Sequence, residues 1–165
     1  MDLTLTRRGD YAVRAAISLA RHYGANGYRK IREVAGEMAL PPAYTAQILS
    51  LLSRAELAEA KAGRDGGYRL LRRPEEISLL DVVEAAEGPL QPQRCTLRGG
   101  PCRWEDACPV HWAWAEAGEA LRRSLAGASL ASVAREDEAL GRGDGALVAP
   151  AHPQPTPRRG RQAEP

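Results

Sequence analysis

Two consecutive prolines, Pro41 and Pro42, divide a pair of short amphipathic segments and constrain the fold of this 165-residue chain more than any other feature. Upstream, Ile31, Val34, Ala35 and Met38 recur at helical spacing, which predicts a helix from Ile31 to Ala39. Proline breaks a helix interior but suits a first turn, so Leu40-Pro41-Pro42 ends one helix and opens the next. The second helix is expected to run to about Ala55 and to bury Tyr44, Ile48, Leu51 and Leu52. Two short helices across a tight break form a helix-turn-helix pattern.

The flanking segments extend that pattern. Thr6 is a candidate N-cap for a first helix from about Arg7 to Tyr23, with Ala12, Ala15, Ala16, Leu19 and Tyr23 as its apolar stripe. After the helix pair, Leu57–Ala60 and Tyr68–Leu71 flank Gly63-Arg64-Asp65-Gly66-Gly67, a short hairpin with a glycine-rich, basic tip. A hairpin in that place is a wing. Ser78 caps a helix to Glu87, with Asp81 in its first turn. A long helix from Pro109 to about Leu125 has the stripe Val110, Ala113, Trp114, Ala117, Leu121 and Leu125, and a last short turn lies near Leu130–Ala139. The expected fold class is mainly α with a small β wing: a winged helix-turn-helix plus a long C-terminal dimerisation helix. Its units are a DNA-binding domain (1–87), a cysteine-containing loop (88–108), the dimerisation helix and terminal turn (109–140) and a disordered basic tail (141–165).

Charge is divided along the chain. Residues 1–73 hold 13 Lys/Arg against 7 Asp/Glu, whereas residues 74–140 hold 6 against 12. A basic first half beside an acidic second half is expected if only the first faces phosphates. On a recognition helix the early polar residues Tyr44, Thr45 and Gln47 would face base edges, and Gln can pair bidentately with adenine. Arg64 at the wing tip, helped by Lys61, would lie in or beside the minor groove. Arg7, Arg8, Arg29 and Lys30 are candidate phosphate contacts, and Arg158-Arg159-Gly160-Arg161 would add non-specific affinity. The plainer readings are a core aromatic for Tyr44 and solvated surface for Arg7 and Arg8.

All three cysteines fall in one loop. Six residues separate Cys95 from Cys102, five separate Cys102 from Cys108, and His111 follows. Clustered soft ligands beside Gly99, Gly100 and Pro101 point to a metal or iron–sulfur site, and three thiolates fill three of four ligand positions. Three cysteines plus His111 could equally bind zinc, although the tight knuckle usual for structural zinc is missing. A metal-free thiol switch is the further alternative. Three cysteines cannot pair completely within the chain, and charges at Asp2, Arg7, Arg8, Asp10 and Arg14 interrupt any leader-like run; both favour a cytoplasmic protein. Trp114, Val110, Ala117, Leu121 and Leu125 make a stripe long for so small a core, which pairing with a second copy explains. Trp112 points elsewhere and is expected to pack against the cluster loop or the domain.

Taken together, Leu5-Thr6-Arg7-Arg8-Gly9-Asp10-Tyr11-Ala12, Tyr44 and Gln47, Gly66-Gly67-Tyr68 and the three cysteines resemble the Rrf-type winged-helix transcription regulators over roughly residues 1–135. The resemblance implies a homodimer on a palindromic DNA operator, expected to repress, with a 2Fe–2S or 4Fe–4S cluster near the dimer helix that senses redox state, nitric oxide or iron–sulfur status. It also implies two candidates for the fourth ligand. His111 matches a histidine that ligates a 2Fe–2S cluster in one branch. Asp10 stands where another branch supplies a carboxylate to a 4Fe–4S cluster from the other subunit. Asp10 also reads as an acid favoured by the helix dipole, and His111 as an ordinary first-turn residue. The chain departs from the iron–sulfur branch in carrying Ala46 where that branch has glutamate, which implies a different operator preference, and in one extra residue between Cys95 and Cys102. No nucleophile–base arrangement or phosphate loop accompanies His22, His111 and His152, so an enzyme or electron carrier is the least favoured class.

Overall fold

The computed structural model describes residues 4–24, 28–90 and 108–142. Helices α1 (Arg7–Arg21), α2 (Ile31–Glu37) and α3 (Pro42–Arg54) are followed by strands β1 (Ala58–Lys61) and β2 (Gly67–Leu70), a single 3-10 turn at Pro74–Glu76, and helices α4 (Leu79–Glu87), α5 (Pro109–Gly127) and α6 (Leu130–Arg142). The expected tail and most of the cysteine loop lie outside the described residues.

Capping chemistry explains the helix starts. Thr6 Oγ1 accepts from the Gly9 N–H at 3.4 Å, and Ser78 Oγ accepts from the Asp81 N–H at 3.1 Å while the Ser78 N–H donates to the Asp81 carboxylate at 2.8 Å. The ends of α2 and α3 are less orthodox. Ala39 (φ 51°) and Glu56 (φ 57°) take the left-handed conformation usually given to glycine. In each case the next N–H reaches back into the helix, Leu40 to the Ala35 carbonyl at 2.8 Å and Leu57 to the Leu52 carbonyl at 3.0 Å.

The core gathers Ala12, Ala15, Ala16 and Leu19 of α1 with Val34, Ile48, Leu49, Leu52, Ile77, Val82 and Leu130. On α3 the buried stripe is Thr45, Ile48, Leu49 and Leu52, so it is rotated from the expected one: Tyr44 is 49% exposed and Leu51 is half-buried. Tyr23, expected to close the α1 stripe, lies beyond the helix and is exposed. The expected terminal turn is instead the 13-residue helix α6, which packs on α1. Two backbone bonds attach it: Leu130 N–H to the Ile77 carbonyl at 2.7 Å, and Leu79 N–H to the Ala128 carbonyl at 2.8 Å.

One carboxylate ties α2 to α1 and, through Arg21, to α6. Glu37 at the end of α2 accepts from the Ser18 hydroxyl at 2.6 Å, Arg21 at 3.3 Å and Arg29 at 2.9 Å, while Arg21 also pairs with Asp137 of α6. Burial alone would raise the Glu37 carboxyl, but the Ser18 and Arg21 hydrogen bonds and the nearby His22 and Arg29 outweigh it and hold the group below the usual carboxylate range. A carboxyl lowered by folding stabilises the fold above its unfolded titration range, and that contribution disappears as pH falls through the lowered folded value. Glu37→Gln is therefore expected to cost about 1–3 kcal/mol near neutral pH. Urea titrations of wild type and variant at about pH 7 and about pH 3 check this. An undiminished difference in acid would show that the carboxylate charge is not the source.

Candidate nucleic-acid interface and cysteine site

Helix α3 presents Tyr44 and Gln47 to solvent in its first two turns. Thr45, expected beside them, is fully buried, and its hydroxyl donates to the Pro41 carbonyl at 3.0 Å. It cannot reach a base edge, because its side chain lies on the core face of the helix. Tyr44 instead meets Tyr11 of α1, the ring centroids 5.7 Å apart and the planes at 81°.

The wing is a two-stranded antiparallel ladder that pairs Ala58 with Leu70 and Lys61 with Gly67. It is extended by an isolated bridge in which Arg29 and Tyr68 exchange backbone hydrogen bonds at 2.8 and 2.9 Å. This bridge explains the Gly-Gly pair. A Cβ on Gly67 (φ 151°) would stand 2.4 Å from the Arg29 carbonyl oxygen, and one on Gly66 would stand 2.1 Å from that of Lys61. The glycines thus permit close approach within the wing. The Tyr28 ring lies under two cations, Lys61 Nζ at 5.5 Å from its centroid and the Arg69 guanidinium at 4.7 Å, with Arg69 also paired to Glu59.

Between the wing and the start of α2 lies an open cleft of about 590 Å³, lined among others by Lys30, Lys61, Arg64 and Tyr68. Three of the predicted contacts therefore share one concavity. Arg7 and Arg8 are exposed at the start of α1. Arg29 is engaged within the chain: its guanidinium pairs with Glu37 at 2.9 Å and Glu33 at 3.7 Å. Tyr11 is legible in the sequence only as part of the Leu5–Ala12 motif and Tyr28 not at all, since a single aromatic has no periodic signature of its own.

Glu87, on the last turn of α4, grips the start of α1. Its Oε1 accepts from the Thr6 N–H at 3.0 Å and the Thr6 hydroxyl at 2.7 Å, and Gly9 leaves the space it occupies, since a Cβ there would lie 2.2 Å from that oxygen. One turn earlier, Glu84 accepts from the Leu90 N–H at 3.0 Å and pairs with Arg122 of α5.

Of the proposed ligands, Cys95 and Cys102 lie outside the described residues. Cys108 is half-buried at the N-cap of α5, and the His111 N–H donates to its carbonyl at 3.0 Å. The His111 ring meets Trp112 edge-on at 5.8 Å. Asp10 is exposed in the first turn of α1, 3.6 Å from Arg14. Among the described residues no group of three or more His, Cys, Asp or Glu is placed to hold a metal ion. The chemistry of the full donor set nevertheless fits an iron–sulfur cluster: three soft thiols, one of them on a helix start, with a histidine one turn on.

Helix α5 buries none of its residues within the chain. Val110, Trp112, Trp114 and Leu121 are all exposed; the cysteine loop against which Trp112 was expected to pack lies outside the described residues. No helix among the described residues is long and apolar enough to cross a membrane.

A family model described as "Rrf2: Iron-dependent Transcriptional regulator" matches residues 5–136. The chain belongs to the Rrf2 family. Among Rrf2 relatives, the HTH-type transcriptional regulator IscR of Sodalis glossinidius is 29% identical over 84% of this chain and 82% of its own. Among solved structures, CymR, the global cysteine regulator of B. subtilis, superposes with TM-score 0.69 at 27% identity over 81% of this chain and 98% of its own. The T. potens IscR superposes with TM-score 0.67 at 26% identity over 85% and 92%. This Rrf2 chain is thus a DNA-binding winged-helix transcription regulator and not an enzyme.

Proposed function

We propose that this Rrf2 regulator is a homodimeric repressor whose hold on a palindromic operator depends on an iron–sulfur cluster. Cys95, Cys102 and Cys108 would hold the cluster, with His111 or Asp10, the latter from the other subunit, completing the site. The observation that carries this reading is the coexistence in one chain of a winged-helix surface and a three-cysteine segment joined to the apolar helix α5. The likeness to IscR supports it. Bound there, a cluster supplies iron that reacts with oxidants and nitric oxide.

The protein's own residues divide the DNA work. Tyr44 and Gln47 read base edges from α3, with Gln47 suited to adenine. Lys61 and Arg64 on the wing lie along the minor groove, and Lys30, Arg7 and Arg8 take phosphates. A second copy brings the same surface to the second half-site, as expected for a two-fold dimer on a palindrome.

Anaerobic purification tests the sensor. The expected product is brown, contains iron and sulfide in comparable amounts, and changes its operator affinity on titration with nitric oxide. His111→Ala and Asp10→Ala are expected to differ, only one of them losing the native spectrum. A metal-free thiol sensor is the second reading, supported by the likeness to CymR, a cysteine regulator. Colourless protein whose operator binding responds to thiol oxidation would establish that reading, and stoichiometric zinc would establish the zinc alternative.

A further inference from the structure

Tyr11 stands between the core and the recognition helix. Its ring packs against the buried cluster on one side. On the other it meets Tyr44, a residue 49% exposed in the first turn of α3, edge to face at 5.7 Å. The backbone beneath Tyr11 is held as well, since Glu87 of α4 takes both Thr6 donors and fills the space above Gly9. A side chain that only filled the core would have no reason to end on a half-exposed ring at the DNA-facing edge. An aromatic in the first turn of a helix, left without such a neighbour, spreads over several rotamers and loses that freedom on binding. Contact with Tyr11 would restrict this freedom before DNA arrives.

We propose that Tyr11 is a positioning residue for operator recognition, holding the Tyr44 ring in the orientation in which it meets a base edge. The inference rests on the reading of Tyr44 as a base contact. It predicts an effect on specificity rather than on general affinity, because phosphate contacts made by Arg7, Arg8 and the wing do not pass through this ring pair.

The test uses an operator enriched from random duplexes by the full-length wild-type protein, and a scrambled duplex of equal length, both titrated at one fixed salt concentration. Tyr11→Leu is expected to weaken operator binding about three- to tenfold and to leave scrambled DNA unchanged. Tyr11→Phe, which keeps the ring, is expected to behave as wild type. In a Tyr44→Leu background, Tyr11→Leu is expected to add nothing further. Should Tyr11→Leu melt, Tyr11→Met, which fills similar space without a ring, carries the same comparison. Equal loss on both duplexes, or independent losses from the two tyrosines, would overturn the positioning role. Failure of Tyr44→Leu itself to weaken operator binding would overturn the base-contact reading, and with it this one, as would a wild-type protein that enriches no sequence.

Discussion

Replacing both Trp114 and Leu121 with glutamate is expected to convert the protein to a monomer and to weaken operator binding by about a hundredfold or more. The reason lies in α5. It runs for 19 residues, yet none is buried within the chain, and Trp114 and Leu121 are 37% and 38% exposed. They share one stripe with Val110, Ala117 and Leu125. Covering a large apolar side chain stabilises by about 1.5–3 kcal/mol, and in a two-fold interface each substitution acts twice. Charges on this stripe would therefore remove most of the association energy, while the winged-helix core, which does not use it, stays folded. A dimer then loses the linkage between half-sites, so each binds alone. Sedimentation equilibrium and operator titration read the two consequences. A variant that stays dimeric, or a monomer with undiminished affinity, would place the interface elsewhere.

Gly67→Ala is expected to damage the wing severely. The new Cβ would meet the Arg29 carbonyl oxygen at 2.4 Å, a backbone atom that cannot swing aside, at a φ of 151° that L side chains rarely adopt. Relief requires opening the Arg29–Tyr68 bridge, so the expected cost is about 2–3 kcal/mol. Lys61 and Arg64 would lose their fixed place, and the salt dependence of DNA binding should become shallower. Gly63→Ala is the control. It has a positive φ of 103° but nothing within 4 Å, so only the conformational penalty of about 1 kcal/mol remains. Denaturant titration together with DNA binding over a salt series checks both. Equal effects at the two positions would show that the clash is not the cause.

Local chemistry made much of the architecture legible. Pro41-Pro42 marked the turn between α2 and α3, and Thr6 and Ser78 marked helix starts, because a cap or a missing N–H acts over three or four residues. What the sequence did not mark is the conformation in which α2 and α3 close. They close on Ala39 and Glu56 rather than glycine, and the bonds that hold those conformations come from the following leucines.

Which side chains of the candidate surface are exposed was legible only in part. The basic wing tip, Gln47 and the arginines at the start of α1 are exposed, as surface residues of that pattern should be. Thr45 is buried, and Arg29 is paired with Glu33 and Glu37. Which of Tyr44 and Thr45 faces outward depends on a rotation of α3 by about one residue, settled by what Ile48 and Leu49 pack against. Whether Arg29 is free depends on Glu37, itself gathered by Ser18 and Arg21 from another helix.

The order of the helices, the wing and the presence of a three-thiol segment follow from residue types and spacings, since propensity, proline geometry and periodicity act between near neighbours. The exposure of Tyr44, the pairing of Tyr11 with it, the place of α6 in the core and the unburied stripe of α5 required the folded chain. Each depends on atoms distant in sequence, Leu130 against Ile77 or Glu87 against Thr6, and side chains that far apart meet only once the backbone between them has taken its path.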